Sequence, residues 1–128
     1  MSNDLGYAKY ISVTTFRRNG DPVATPVWTV PVGDKIYVST GALSGKVKRL
    51  RGNERATVAL CDMAGKNVGP QHQATARVMS YTDKPEVREL MVRKYGVQQR
   101  LVELMDKARN HTKWPVGERV LIELTVQD

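Results

Sequence analysis

The chain has a single cysteine, Cys61, a single phenylalanine, Phe16, and two histidines, His72 and His111, in 128 residues. One cysteine allows neither an intrachain disulfide nor a Cys-x-x-Cys pair, and it suits a reducing compartment. The histidines lack the spacing of a zinc pair, so no metal centre is expected. There is no serine in a nucleophile elbow, no glycine-rich dinucleotide fingerprint and no P-loop. No apolar run reaches membrane-span length, and Met1-Ser2-Asn3-Asp4-Leu5-Gly6 lacks the basic and apolar blocks of a secretion signal. The expectation is one cytoplasmic domain over residues 1–128, large enough for a core without staples. Any difficult chemistry would have to come from a cofactor, with the protein supplying binding and orientation.

Acidic residues are also few, 13 against 20 Lys and Arg, for a formal net charge of +7. Nucleic-acid surfaces spread their cations along a groove with aromatics between them. Here Lys46, Lys48, Arg49, Arg51 and Arg55 fall within ten residues with no aromatic among them. That favours a compact small-molecule anion over nucleic acid or a membrane surface. The stretch 41–55 reads as an anion cradle. Ser44 is placed to cap a helix whose first N–H groups belong to Gly45 and Lys46, and such a terminus favours a phosphate by hydrogen bonding and by dipole. Gly45 allows close approach. Val47 and Leu50 are predicted to face inward with Leu43, while Lys46 and Arg49 share a second face. A solvated basic helix is the alternative, and pattern alone leaves both open.

The rest of the chain alternates as strands do. Tyr10–Phe16 is β-branched and aromatic, and Arg17-Arg18-Asn19-Gly20-Asp21 signals a hairpin in which both central positions tolerate positive φ. The second strand, Pro22–Val30, contains Pro26, which belongs at an edge, at a bulge or at a kink turned toward a ligand. Trp28 suits a core position or a stacking platform. A third strand, Lys35–Thr40, has Ile36 and Val38 on one face and Tyr37 and Ser39 on the other, and it delivers Ser39 and Thr40 to the cradle. Ala56–Asp62, with Cys61 as a buried strand residue, and His72–Met79, with Ala74, Ala76 and Val78 on one face, follow. Thr82 or Asp83 then caps a helix with Pro85 in its first turn and Val87, Leu90, Met91 and Tyr95 at helical spacing. After Gly96 a second stripe, Val97, Leu101, Leu104, Met105 and Ala108, is expected to pack on the sheet or on a partner subunit. His111 and Trp114 lie in a loop, and Arg119–Val126 is a returning strand. The predicted fold is mainly β (α+β): a six-stranded antiparallel barrel with a short helix on the phosphate side and a C-terminal helical pair.

The order Tyr10-Ile11-Ser12-Val13-Thr14-Thr15, Asn19-Gly20, Thr25-Pro26-Val27-Trp28, Ile36-Tyr37-Val38-Ser39-Thr40 and Ser44-Gly45-Lys46-Val47-Lys48-Arg49-Leu50 resembles the split β-barrel flavin and deazaflavin oxidoreductases. These are relatives of pyridoxamine 5'-phosphate oxidase with an FMN-binding split barrel. Lys94-Tyr95-Gly96 and Val120-Leu121-Ile122-Glu123-Leu124 are similar to the small deazaflavin-dependent branch of actinobacteria. The resemblance implies a homodimer with cofactor sites at the subunit interface. It also implies coenzyme F420, an 8-hydroxy-5-deazaflavin, or alternatively flavin mononucleotide (FMN). It places the cofactor phosphate against Ser44, Gly45, Lys46 and Arg49, with Lys48 contributing. The ring would lie along Thr25, Pro26, Val27 and Trp28, flanked by Ser39 and Thr40. Thr25 and Val30 stand roughly where the FMN oxidases carry an arginine and a lysine. The implied activity is hydride transfer to or from an unsaturated or conjugated organic substrate, with a non-catalytic cofactor carrier as the rival. A water, or a hydroxyl such as Tyr81, would supply a proton, and the residues select no catalytic group. Arg51 and Arg55 could follow the acidic tail of a deazaflavin.

Overall fold

A computed structural model of the protein describes residues 4–96 and 117–127, together with residues 98, 101, 104, 105, 107 and 108. Its elements are β1 (Ile11–Phe16), β2 (Pro22–Val27), β3 (Val30–Val32), β4 (Lys35–Gly41), α1 (Gly45–Gly52), β5 (Arg55–Leu60), β6 (His72–Ser80), α2 (Pro85–Tyr95) and β7 (Arg119–Val126). The strands form one seven-stranded sheet in the order β2-β1-β5-β6-β7-β4-β3, and every pairing is antiparallel.

The two ends of that order are consecutive in sequence. Val27 is paired with Ile11 on β1, whereas Val30 is paired with Tyr37 on β4. Only Trp28 and Thr29 separate them, so the opposite edges of the sheet stand at most about 11 Å apart there. The sheet must therefore curl, as a split barrel does. The stretch expected as one strand, Pro22–Val30, is two, which raises the count from six to seven. The cause is at Thr29: its N–H donates to the Tyr95 hydroxyl (2.9 Å) and its carbonyl accepts from Lys94 Nζ (2.6 Å). Side chains of α2 thus occupy positions that a neighbouring strand would have filled. Pro26 lies on β2, an edge strand, where a missing donor costs nothing.

Alternation sorts the side chains into two clusters. Ile11, Val13, Ile36, Val38, Val58, Ala74, Ala76, Ile122 and Leu124 fill the inside of the curl, and Val47 and Leu50 of α1 join them. Tyr37 and Leu121, of opposite parity, meet Val87, Met91 and Tyr95 of α2 on the outer face. The β1–β2 hairpin forms as predicted, but with one positive φ instead of two, at Gly20 (94°). Asn19 instead uses its side chain, accepting from Asp21 N at 3.0 Å.

Local expectations fail at four places. Leu43 is 48% exposed and does not join Val47 and Leu50; it packs against Gly117, where a Cβ would stand 2.8 Å from its Cγ. Ser44 stands at the N-cap of α1, but its side chain makes no capping bond. The cap of α2 is Lys84, not Thr82 or Asp83, because Ser80 and Asp83 close a capping box around the preceding turn, Tyr81–Asp83. Cys61 is half-buried just beyond β5, and burial, then the Asp62 carboxylate, push its thiol up. In the second stripe Leu101, Leu104 and Met105 are helical and exposed, so the sheet does not cover these three, and of the two expected coverings a partner subunit is the one left. Val97, His111 and Trp114 lie outside the described residues. Among the described residues no helix is long and apolar enough to cross a membrane, and no group of three His, Cys, Asp or Glu could hold a metal ion.

Candidate functional site

β4 ends at Gly41 and the chain turns directly into α1, which buries Val47 and Leu50 and so fixes the orientation of its other face. Lys46 Nζ lies 3.1 Å from the buried Thr40 hydroxyl, which is itself 3.5 Å from Ser44 Oγ. Arg49 Nε donates to Thr15 Oγ1 on β1 at 2.6 Å. The guanidinium folds back over the first turn of α1: a Cβ on Gly45 would stand 2.8 Å from its Nη1. Burial first, then the like charges of Arg49 and Arg119, hold Lys46 below the ordinary lysine range. Burial and Arg17 likewise lower Arg49. Cations that are partly desolvated and repel one another raise the energy of the ligand-free site, and an anion would relieve it.

Beside this cluster is a cleft of about 230 Å³ lined by Tyr10, Pro26, Val27, Trp28, Ser39, Thr40, Lys46, Met63 and Arg119. Among the described residues Ser39 Oγ is buried without a hydrogen-bond partner, a cost that a polar ligand atom would remove. Trp28 is both a core residue and a wall, since it stacks on Tyr95 with ring centroids 4.4 Å apart and planes 9° from parallel.

The geometry thus brings Pro26, Val27, Trp28, Ser39, Thr40 and Lys46 around one cleft, with Ser44, Gly45 and Arg49 at the adjoining helix start. Thr25 is not part of the lining; its hydroxyl reaches the Val13 carbonyl, 3.5 Å away across the hairpin. Lys48 is exposed and, with Arg49, Phe16, Arg17, Arg18, Gly52 and Asn53, lines a second cleft of about 450 Å³. Arg55 lies 4.3 Å from the centre of the Phe16 ring. Arg51 and Tyr81 line a separate cavity of about 820 Å³.

Sequence reasoning missed Tyr10, Met63 and Arg119 as walls, Thr15 as the partner of Arg49, and Arg17 as its neighbouring charge. Their positions follow from strand pairing: Gly41 at the end of β4 is paired with Arg119 at the start of β7. No local signal announces that. Arg17, next to the hairpin turn, was the most readable of them.

A buried hydroxyl, a glycine at the helix start and the cations Lys46 and Arg49 could together hold an anionic ligand. The sequence profile of pyridoxamine 5'-phosphate oxidase matches residues 4–128. The chain belongs to that family. No curated protein matches it. Among solved structures, an F420 reductase is similar over 98% of this chain and 92% of its own, with a TM-score of 0.64 at 14% identity. A conserved hypothetical protein of Mycobacterium tuberculosis superposes over 100% of this chain and 82% of its own, with a TM-score of 0.67 at 17% identity. A pyridoxamine 5'-phosphate oxidase-related, FMN-binding protein of Nostoc punctiforme covers 96% of this chain and 73% of its own, with a TM-score of 0.56 at 18% identity. These likenesses place the chain in the flavin-binding split-barrel fold.

Proposed function

We propose that this member of the pyridoxamine 5'-phosphate oxidase family binds coenzyme F420 and passes a hydride between it and an unsaturated or conjugated organic substrate. The observation that carries the reading is the convergence of Lys46 and Arg49 on the start of α1, each lowered by burial and by other cations. Ser44, Gly45, Lys46 and Arg49 would hold the phosphate. Pro26, Val27 and Trp28 would bound the ring, and Ser39 Oγ and Thr40 would meet its polar edge. Bound there, the deazaflavin supplies the hydride donor and acceptor. The chain's own task is to orient the ring and keep water from one face of it.

Two features favour the deazaflavin over FMN. Thr25 and Val30 stand where the resemblance to the FMN oxidases calls for an arginine and a lysine. The cationic surface also runs on from Arg49 to Arg17, Arg18 and Lys48 around the second cleft, which suits an anion longer than one phosphate. At about 230 Å³ the first cleft falls below the roughly 300–1,000 Å³ that small-molecule pockets occupy. A second copy of the chain completing it, in a homodimer, is therefore part of the proposal.

The test is a fluorescence titration of apoprotein with F420 and with FMN. F420 is expected to bind more tightly. Lys46→Ala and Arg49→Ala are each expected to weaken it roughly 10- to 100-fold, the loss of about 1.5–3 kcal/mol that goes with a charged hydrogen bond, with circular dichroism unchanged. Equal or tighter FMN binding would overturn the choice of cofactor. Binding of reduced F420 without its oxidation by a panel of enones and quinones would make the protein a carrier.

A further inference from the structure

The connection after β5 sets a large apolar side chain in water at the edge of the cleft. Met63 is 72% exposed, yet it lines the cleft with Tyr10, Pro26 and Trp28. Its backbone is held on both sides. Asp62 N donates to Lys66 O at 2.9 Å, and Gly65 N donates to Asp62 O at 3.0 Å. Asp62 Oδ1 accepts from Ala64 N at 3.0 Å and Lys66 N at 2.8 Å, and Oδ2 accepts from Asn67 Nδ2 at 2.9 Å. Those bonds, led by the Lys66 N–H, hold the carboxylate below its usual range. The turn also rests on the cleft wall: Gly65 lies against Pro26, with the site of a Cβ 3.5 Å from Pro26 Cδ.

A pinned turn thus presents an unbranched, polarisable side chain that adapts to whatever covers it. The cleft is lined by two cations, Lys46 and Arg119, and by the apolar side chains of Met63, Val27 and Trp28. We propose that Met63, presented by the Asp62 turn, is the specificity-determining residue of the cleft, and that it selects substrates with a flat apolar ring. Naming that molecule as the redox substrate rests on the oxidoreductase reading above. A quinone substrate would take a hydride from the reduced coenzyme and a proton from water and leave as the hydroquinone, with the coenzyme oxidised. Covering Met63 with such a ring removes apolar area of both from water and places the thioether at an aromatic edge. Asp62 is a positioning residue.

The experiment uses protein carrying 13C-methyl methionine, titrated with 1,4-naphthoquinone in the absence of cofactor. Five methionine signals are available, and loss of one in Met63→Leu identifies Met63. Its methyl is expected to shift with quinone. Met63→Ala should weaken quinone binding about tenfold, or ~1.4 kcal/mol, while Met63→Leu stays within about threefold, since a similar apolar volume remains. In turnover with F420, Met63→Ala and Asp62→Ala should raise KM for the quinone by a larger factor than they change kcat or the coenzyme Kd. An unmoved Met63 methyl, or equal quinone binding by Met63→Ala, overturns the proposal whether or not the coenzyme binds. A wild-type protein that binds no coenzyme but keeps the Met63 response overturns the cofactor reading and leaves Met63 as the selective wall.

Discussion

Gly45 separates the cradle from an ordinary helix start. It occupies the first position of α1, where alanine would lower the entropy cost of folding by up to about 1 kcal/mol. A Cβ there, however, would meet Arg49 Nη1 at 2.8 Å and Cζ at 3.5 Å. The obstacle is the tip of a long side chain, so the guanidinium would swing away while the backbone stayed. Gly45→Ala should therefore leave Tm unchanged or raise it, and should weaken F420 or inorganic phosphate about fivefold to tenfold, roughly 1–1.4 kcal/mol of a displaced charged contact. Calorimetric titration beside a thermal melt reads both quantities. Unchanged affinity would mean that Arg49 does not need its place over Gly45 to hold an anion. Ser44 contributes differently from its sequence promise: its side chain makes no capping bond, and its Oγ instead lies 3.5 Å from the Thr40 hydroxyl beside Lys46.

At the scale of elements, α2 decides where the sheet is cut. Tyr95 accepts from Thr29 N at 2.9 Å and donates to the Lys9 carbonyl at 2.8 Å, while its ring stacks on Trp28. Tyr95→Phe keeps the stack and strips both bonds, leaving a buried N–H at a fully buried Thr29. A loss of about 1–3 kcal/mol is expected, read as a lower urea midpoint at constant m-value. A loss below about 0.5 kcal/mol would show that the Thr29 N–H finds another partner. The same contact marks the boundary of what sequence makes legible. Alternation in Ile36–Val38, Ala74–Val78 and Val120–Val126 reports a strand's own faces, and these segments formed with small shifts at their ends. The Lys46–Arg49 face was legible too, because helical spacing is a local property. The break at Trp28–Thr29 was not, since its cause lies 66 residues away. For the same reason Arg119 and Met63 were missed as walls, and so was the contact of Leu43 with Gly117, far along the chain.

At the scale of the whole molecule, the curl is pinned by a half-buried cation. Lys94 Nζ donates to the carbonyls of Gly6 (2.9 Å), Ala8 and Thr29 (2.6 Å), tying the N-terminal segment to the joint between the two edges of the sheet. Burial lowers the ammonium from its ordinary 10.5 to about 8. Below pH 8 both the folded and unfolded chains carry the proton, and this group adds no slope to stability. Between pH 8 and 10.5 the folded chain has released a proton that the unfolded chain still holds. The unfolded state then binds more protons, so stability rises with pH across that window. The gain is on the order of 2–3 kcal/mol. Lys94→Met should lower stability at every pH, because three carbonyls lose their donor, but it should also remove the alkaline rise. The slope therefore carries the test, and the level does not. Urea unfolding at half-unit steps from pH 7 to 10.5, wild type minus variant, is expected to show a difference that is flat to about pH 8 and widens above it. A flat difference throughout would mean that the three carbonyls fully offset the burial of the charge. The clamp joining the two edges of the sheet would then be held by a lysine as basic as one in water.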